Sequence, residues 1–200
     1  MIKEFYIDVE TTGLDTKNSA IWQIAGEVII DSISKEIFEF KLAPHPNAFI
    51  SDKALSMNDI TIEELETFTP PNQVFNSFES LLKKYVSPFD KTDKLIFKGY
   101  NGNFDSDFIR SFFVRNGSNY YGSYFWTPVY DVMAIAFLAL ESQRSGMPNF
   151  RLETVARHLG INVETARFHD AMYDIEITKQ IDTIARRMIS SIVSEKDLGL

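Results

Sequence analysis

The stretch YIDVETTG, residues 6–13, begins like a buried strand, with Phe5, Ile7 and Val9 alternating against Tyr6, Asp8 and Glu10. Successive strand side chains point to opposite faces, so Asp8 and Glu10 share one face about 7 Å apart. Two carboxylates that close repel each other. The segment then stops at the turn-prone Thr11-Thr12-Gly13. A strand this apolar needs a reason to carry two adjacent acids.

The chain around it has 200 residues, the size of a single domain with a sizeable core. One unit over residues 1–200 is expected, with its core at about residues 3–187 and a frayed tail at 190–200. A hydrophobic share of 44%, with seventeen Phe and eight Tyr, predicts an interior filled by aromatic rings. The absence of Cys excludes disulfides and thiolate chemistry. The first residues lack a basic n-region and an apolar h-region, and no apolar run reaches spanning length. The expectation is a soluble, cytoplasmic protein with no membrane partner. A net charge of −8 argues against non-specific nucleic-acid binding. That objection falls away if several acids converge on bound cations, which reverse the local charge.

Strands are predicted at residues 3–10, 20–30, 36–43 and 94–101, the second and third joined as a hairpin. Short helical signals occupy residues 52–68, where Thr61 and Glu64 form a capping-box pattern. Pro70-Pro71 starts a better helix, with Val74, Phe78, Leu81, Leu82 and Tyr85 on one face. Further helices are expected from Asp105 to Arg115, over 129–142, over 150–160 and from Asp170 to Val193. The aromatic run 120–126 reads best as a buried loop. Strands first, then helices alternating with a strand, indicate a mixed α/β sheet with helices on its faces.

A single D-x-E also occurs on the solvent-facing side of an ordinary strand. Asp105 or Asn103 also fits a helix N-cap, and Asp174 also fits a solvated first turn. Their joint arrangement goes further. Hard cations such as Mg2+ and Mn2+ prefer carboxylate oxygens, and a pair of them can activate water and stabilise a leaving oxygen. Asp8 and Glu10 on a strand, Asp105 after another strand and Asp174 on the last helix supply four acids from separate elements. His169, just ahead of that helix, fits a proton acceptor, since imidazole titrates near neutral pH. His45 and His158 read as structural or merely exposed.

DVETTG (8–13), NGNFD (101–105) and HDAMYD (169–174) resemble, in order and spacing, the three motifs of the DnaQ-like DEDD exonucleases. That family includes proofreading subunits, oligoribonuclease and RNase T. His five residues before Asp174 matches the DEDDh branch; the DEDDy branch would put Tyr where Asp170 stands. QIAGEV (23–28) and LETVARHLGI (152–161) also look like family segments, so the resemblance covers residues 3 to about 185.

The resemblance implies a ribonuclease H-like α/β fold whose five-stranded sheet has the order 3-2-1-4-5, strand 2 antiparallel and helices flanking it. It implies a 3′–5′ exonuclease with two divalent metal ions, Mg2+ or Mn2+, held by Asp8, Glu10, Asp105 and Asp174, and His169 as general base. Thr11, Thr12, Gly13, Leu14, Asn101 and Phe104 are the expected substrate-binding residues, with Phe108 a weaker candidate that equally fits the core. Arg110, Arg151 and Arg167 fit phosphate contacts or plain surface charge. The implied partner is a single-stranded 3′ end, DNA favoured over RNA, and the family also admits a polymerase or a second copy as protein partner.

Three readings compete. An exoribonuclease of the same family would carry the same motifs. A catalytically silent nucleic-acid-binding module would normally lack an acid or the His, and none is missing. A phosphomonoesterase with an aspartyl nucleophile calls for a second Asp where Glu10 stands.

Overall fold

Strand β1 (Lys3–Thr11) is covered on both faces, with Phe5 and Ile7 buried on one side and Tyr6 on the other. It is therefore a central strand, not a half-exposed one. It pairs antiparallel with β2 (Ile21–Ile30), which puts Tyr6 opposite Glu27 and Asp8 opposite Ala25. The turn at Asp31-Ser32 leads from β2 into β3 (Ile33–Lys41), with φ of 48° and 67° at its two residues. Positive φ at both positions is the conformation that matches the twist of a two-residue hairpin.

Two short helices follow, α1 (Asp52–Met57) and α2 (Ile62–Glu66). The expected capping box closes α2 from both sides, Thr61 accepting from Glu64 N–H and Glu64 from Thr61 N–H. Helix α3 (Pro71–Tyr85) starts with Pro at its first position, where the missing N–H costs nothing. Strand β4 (Ile96–Gly99) lies parallel to β1 and runs into α4 (Gly102–Arg115). The single turn α5 (Tyr121–Tyr124) precedes β5 (Tyr130–Asp131), which pairs parallel with β4. Then come α6 (Val132–Leu140), a 3-10 segment (Glu141–Gly146), α7 (Leu152–His158), a 3-10 turn (Thr165–Arg167) and α8 (Ala171–Asp197).

The five-stranded sheet has the order β3-β2-β1-β4-β5, with β2 antiparallel to its neighbours, the topology that the resemblance implies. This computed structural model describes the backbone of residues 1–197 and the side chains of residues 1–191, so the tail expected at 190–200 lies partly outside the described residues. Among the described residues no helix is long and apolar enough to cross a membrane.

Three expectations are corrected. Strand β4 is only four residues long, because Tyr100 and Asn101 turn the chain rather than extend it. Helix α4 opens at Gly102, not at Asp105, which puts Asp105 in the first turn. Residues 130–131, expected in a helix, are the fifth strand, with Tyr130 opposite Lys98 and Asp131 opposite Gly99.

One core layer lies between the sheet and helices α3 and α4, and it is built of rings. Phe5 lies 5.5 Å from Phe38 and from Phe125, and Phe75 packs edge-on to Phe113 at 5.1 Å. Such pairs add about 0.5–1.5 kcal/mol each beyond area burial. Tyr121, Tyr124 and Phe125 are buried there, so most of the run 120–126 is core, as read from the sequence. The opposite face packs on α6, α7 and α8 through smaller residues such as Ala136, Val155 and Ile177.

Candidate active site

The acids meet where β1 and β4 end. Glycine ends β4 for a spatial reason: a Cβ on Gly99 would stand 3.0 Å from the Cα of Gly102 and 3.3 Å from Asp105 Oδ2. Asn101 takes the left-handed conformation, φ 61°, and its N–H donates to Asp131 Oδ1 at 3.0 Å. Helix α4 therefore starts abruptly, and its first turn presents Asp105 to β1, where Oδ1 accepts the Val9 N–H at 3.1 Å. From the other side, Asp170 N-caps α8 by accepting from Tyr173 N–H at 3.0 Å. His169 holds φ 74°, a strained value for a non-glycine residue. Its N–H donates at 3.4 Å to Asp174 Oδ2, closing the loop onto the helix.

Ligand-type atoms of Glu10, His169 and Asp174 all lie within 4.8 Å of one another. Burial and mutual repulsion push the acids toward the neutral form. Burial raises the Asp8 carboxyl to about 7. Burial first, then the Asp8 charge, raises Glu10 to about 9 and Asp174 to about 8. Asp105, only 3% exposed, is also raised well above the carboxylate range by burial and then by Asp8. Asp8 is thus the charge felt by the other three. Four acids that cannot comfortably ionise together are what a bound cation reverses.

The donor set fits such a cation. Asp174 Oδ1 is buried with no hydrogen-bond partner among the described residues. Carboxylate oxygens with one imidazole within reach are a donor set that suits a divalent cation.

A cavity of about 620 Å³ opens beside the acids. Glu10, Thr11, Gly13, Leu14, Phe104 and His169 are among the residues that line it. Thr12 does not; its hydroxyl is fully buried, donating to Phe49 O at 2.7 Å and accepting from Ala20 N–H at 2.9 Å. Its role in the structure is to anchor the wall. Asn101 also lies outside the cavity lining, and Phe108 is core. Arg110 lies over Tyr121 and Arg167 over Tyr173, each 4.3 Å from the ring centre.

The far wall was not foreseen from the sequence. Phe49, Lys53, Met57 and Asn58 come from α1 and the residues that flank it, drawn in by Ser51 N–H donating to Thr12 O at 2.8 Å. The local pattern did not single them out, because Ile50 and Leu55, equally apolar, lie between Phe49 and Met57. Asn58 also lowers the Glu10 carboxyl through a side-chain hydrogen bond, partly offsetting its burial.

A protein-family model described as exonuclease matches residues 5–181. No curated protein matches the chain. Among solved structures it resembles exonuclease I, with a TM-score of 0.75 and 22% identity over 97% of this chain and 44% of the other. It also resembles Escherichia coli exonuclease I in complex with a dT13 oligonucleotide, with a TM-score of 0.71 and 23% identity over 94% of this chain and 41% of the other. A zinc-bound form of the E. coli enzyme with single-stranded DNA gives a TM-score of 0.73 and 22% identity, over 97% of this chain and 43% of the other. The chain thus spans less than half the length of these exonuclease I chains.

Proposed function

The chain belongs to the DnaQ-like family of exonucleases, and from that premise we propose that it removes nucleotides one at a time from single-stranded 3′ ends, DNA favoured, as a single domain of the DEDDh type. The observation that carries this reading is the convergence of Glu10, His169 and Asp174 within 4.8 Å, at a cavity large enough for a terminal nucleotide.

Two divalent ions held by Asp8, Glu10, Asp105 and Asp174 would acidify water and stabilise charge on the phosphodiester and the departing oxygen. His169 takes the proton from the attacking water. The new bond joins water oxygen to phosphorus, and the bond to the 3′-oxygen of the preceding nucleotide breaks. That oxygen leaves as an alkoxide and is reprotonated by solvent, releasing a nucleoside 5′-monophosphate. Leu14, Phe49, Phe104 and Met57 give apolar walls for the terminal base and sugar. DNA is favoured because single-stranded DNA is what the structurally similar exonuclease I binds.

The test is hydrolysis of 3′-labelled DNA and RNA oligonucleotides in Mg2+ or Mn2+. The wild-type chain should release label, and Asp8→Asn and His169→Ala should abolish release with the fold intact. Full activity in either variant overturns the mechanism, and faster digestion of RNA overturns the DNA preference.

A further inference from the structure

Eight residues beyond Asp174, about 12 Å along α8, Asp182 is fully buried and outside the catalytic cavity. Its Oδ2 accepts from Tyr6 Oη at 2.5 Å and from Lys98 Nζ at 3.0 Å, and its Oδ1 from Tyr130 Oη at 2.9 Å. Arg186, one turn on, pairs with the same carboxylate at 3.0 Å. Lys98, itself buried, also donates to Glu4 at 2.6 Å and lies 4.1 Å from the ring centre of Tyr130. One carboxylate on α8 is thereby tied to β1, β4 and β5 at once. Lys179, pairing with buried Glu27 of β2, adds a second tie one turn earlier.

Stability alone does not account for this cluster. Desolvating charges offsets most of their attraction, and apolar residues of similar volume often serve as well or better. Hydrogen bonds supply direction and length, which sliding apolar faces do not. The tie also stands in a telling place. Tyr6 precedes Asp8 by two residues on the same face of β1, about 7 Å away, and the N-terminal end of α8 delivers Asp174 and His169.

We propose that Asp182 is a positioning residue, fixing the register of α8 along the sheet and so the spacing of Asp174 and His169 from Asp8 and Glu10. The proposal rests on the reading of those acids as the metal site, and acts through them rather than through substrate.

The test is Mn2+ titration of the full chain, followed by the paramagnetic resonance of the free ion, with circular dichroism to establish folding. Asp182→Asn removes the charge at constant shape. Because a half-broken buried pair can unfold a chain, Tyr6→Phe/Tyr130→Phe serves as the milder variant, removing two hydroxyls and no charge. A folded Asp182→Asn chain should bind Mn2+ about tenfold more weakly, the scale seen for outer-shell partners of metal ligands. Its kcat at saturating Mn2+ should fall about tenfold while KM for the oligonucleotide stays within about twofold, since Leu14, Phe49, Phe104 and Met57, the walls assigned to base and sugar, do not come from α8. The Phe pair should move Mn2+ affinity the same way by about threefold or more. A lowered Tm with unchanged Mn2+ affinity, in whichever variant folds, overturns the proposal. A wild-type chain that binds Mn2+ yet leaves oligonucleotides intact would count against the exonuclease reading and leave the Mn2+ comparison standing.

Discussion

The backbone N–H of Val9 donates to Asp105 Oδ1 at 3.1 Å, so a carboxylate from α4 is fastened to β1 between Asp8 and Glu10. That bond separates the structural part of Asp105 from its chemical part. Asp105→Asn keeps an acceptor for Val9 and removes the carboxylate that a cation would draw into its ionised form. It should fold with an undiminished Tm in the absence of metal and lose more than the roughly 10–100-fold of activity typical of an outer-shell change. Asp105→Leu leaves the Val9 N–H orphaned and should lower Tm as well. Thermal melts beside rate measurements check both.

Metal-free stability should fall as pH rises. Asp8, Glu10 and Asp174 titrate at about 7, 9 and 8 in the folded chain, chiefly through burial, against about 4 when unfolded. The folded state therefore holds protons that the unfolded chain has released. The favourable contribution of the neutral acids is complete below about pH 4 and is lost progressively up to about pH 9. In a domain of this size 1 kcal/mol is about 2–4 °C of Tm, so melts in EDTA should drop by several degrees between about pH 5 and pH 9. Saturating Mg2+ should flatten the curve, because a cation takes the place of the protons. A metal-free Tm that rises over that range would contradict the assigned burial.

His169 lies within 4.8 Å of two acids, close enough to be either proton acceptor or ligand. The proposed base role makes separable demands. His169→Gln should cost about 10²–10⁴ in kcat, while Mn2+ affinity stays within about threefold. A large loss of Mn2+ binding would assign His169 to the metal instead.

The wall formed by α1 and the segment before it should act on binding. Phe49→Ala removes a stacking surface worth about 1–3 kcal/mol per base, so KM should rise with kcat held. Lys53→Ala should reduce the slope of log KM against log salt by about 0.7, the value for one phosphate contact on a single strand. Unchanged KM in both variants would move the strand to another face.

Local features were legible in the sequence, and features made by pairing were not. The alternation in β1 and the Asp31-Ser32 hairpin are written in consecutive residues, and so are the Thr61–Glu64 box and the three acidic motifs. Tyr130 and Asp131 are a strand only because Lys98 and Gly99 lie beside them, and two residues running into an apolar helix carry no period of their own. Phe49 and Met57 reach the cavity because Thr12, 37 residues before Phe49, donates its hydroxyl to the Phe49 carbonyl and so holds that segment. Asp182 looks like one polar break on the apolar stripe of α8; its partners on β1, β4 and β5 appear only once the sheet is assembled.

The most direct measurement is digestion of a 5′-labelled single-stranded DNA oligonucleotide by the purified chain in Mn2+, followed over time, with an EDTA control. The expected result is a ladder shortening by one nucleotide at a time from the 3′ end, nucleoside 5′-monophosphates in solution and no cleavage in EDTA. An intact oligonucleotide in Mn2+, internal cuts, or digestion that persists in EDTA would contradict a metal-dependent 3′–5′ exonuclease built on Asp8, Glu10, Asp105 and Asp174.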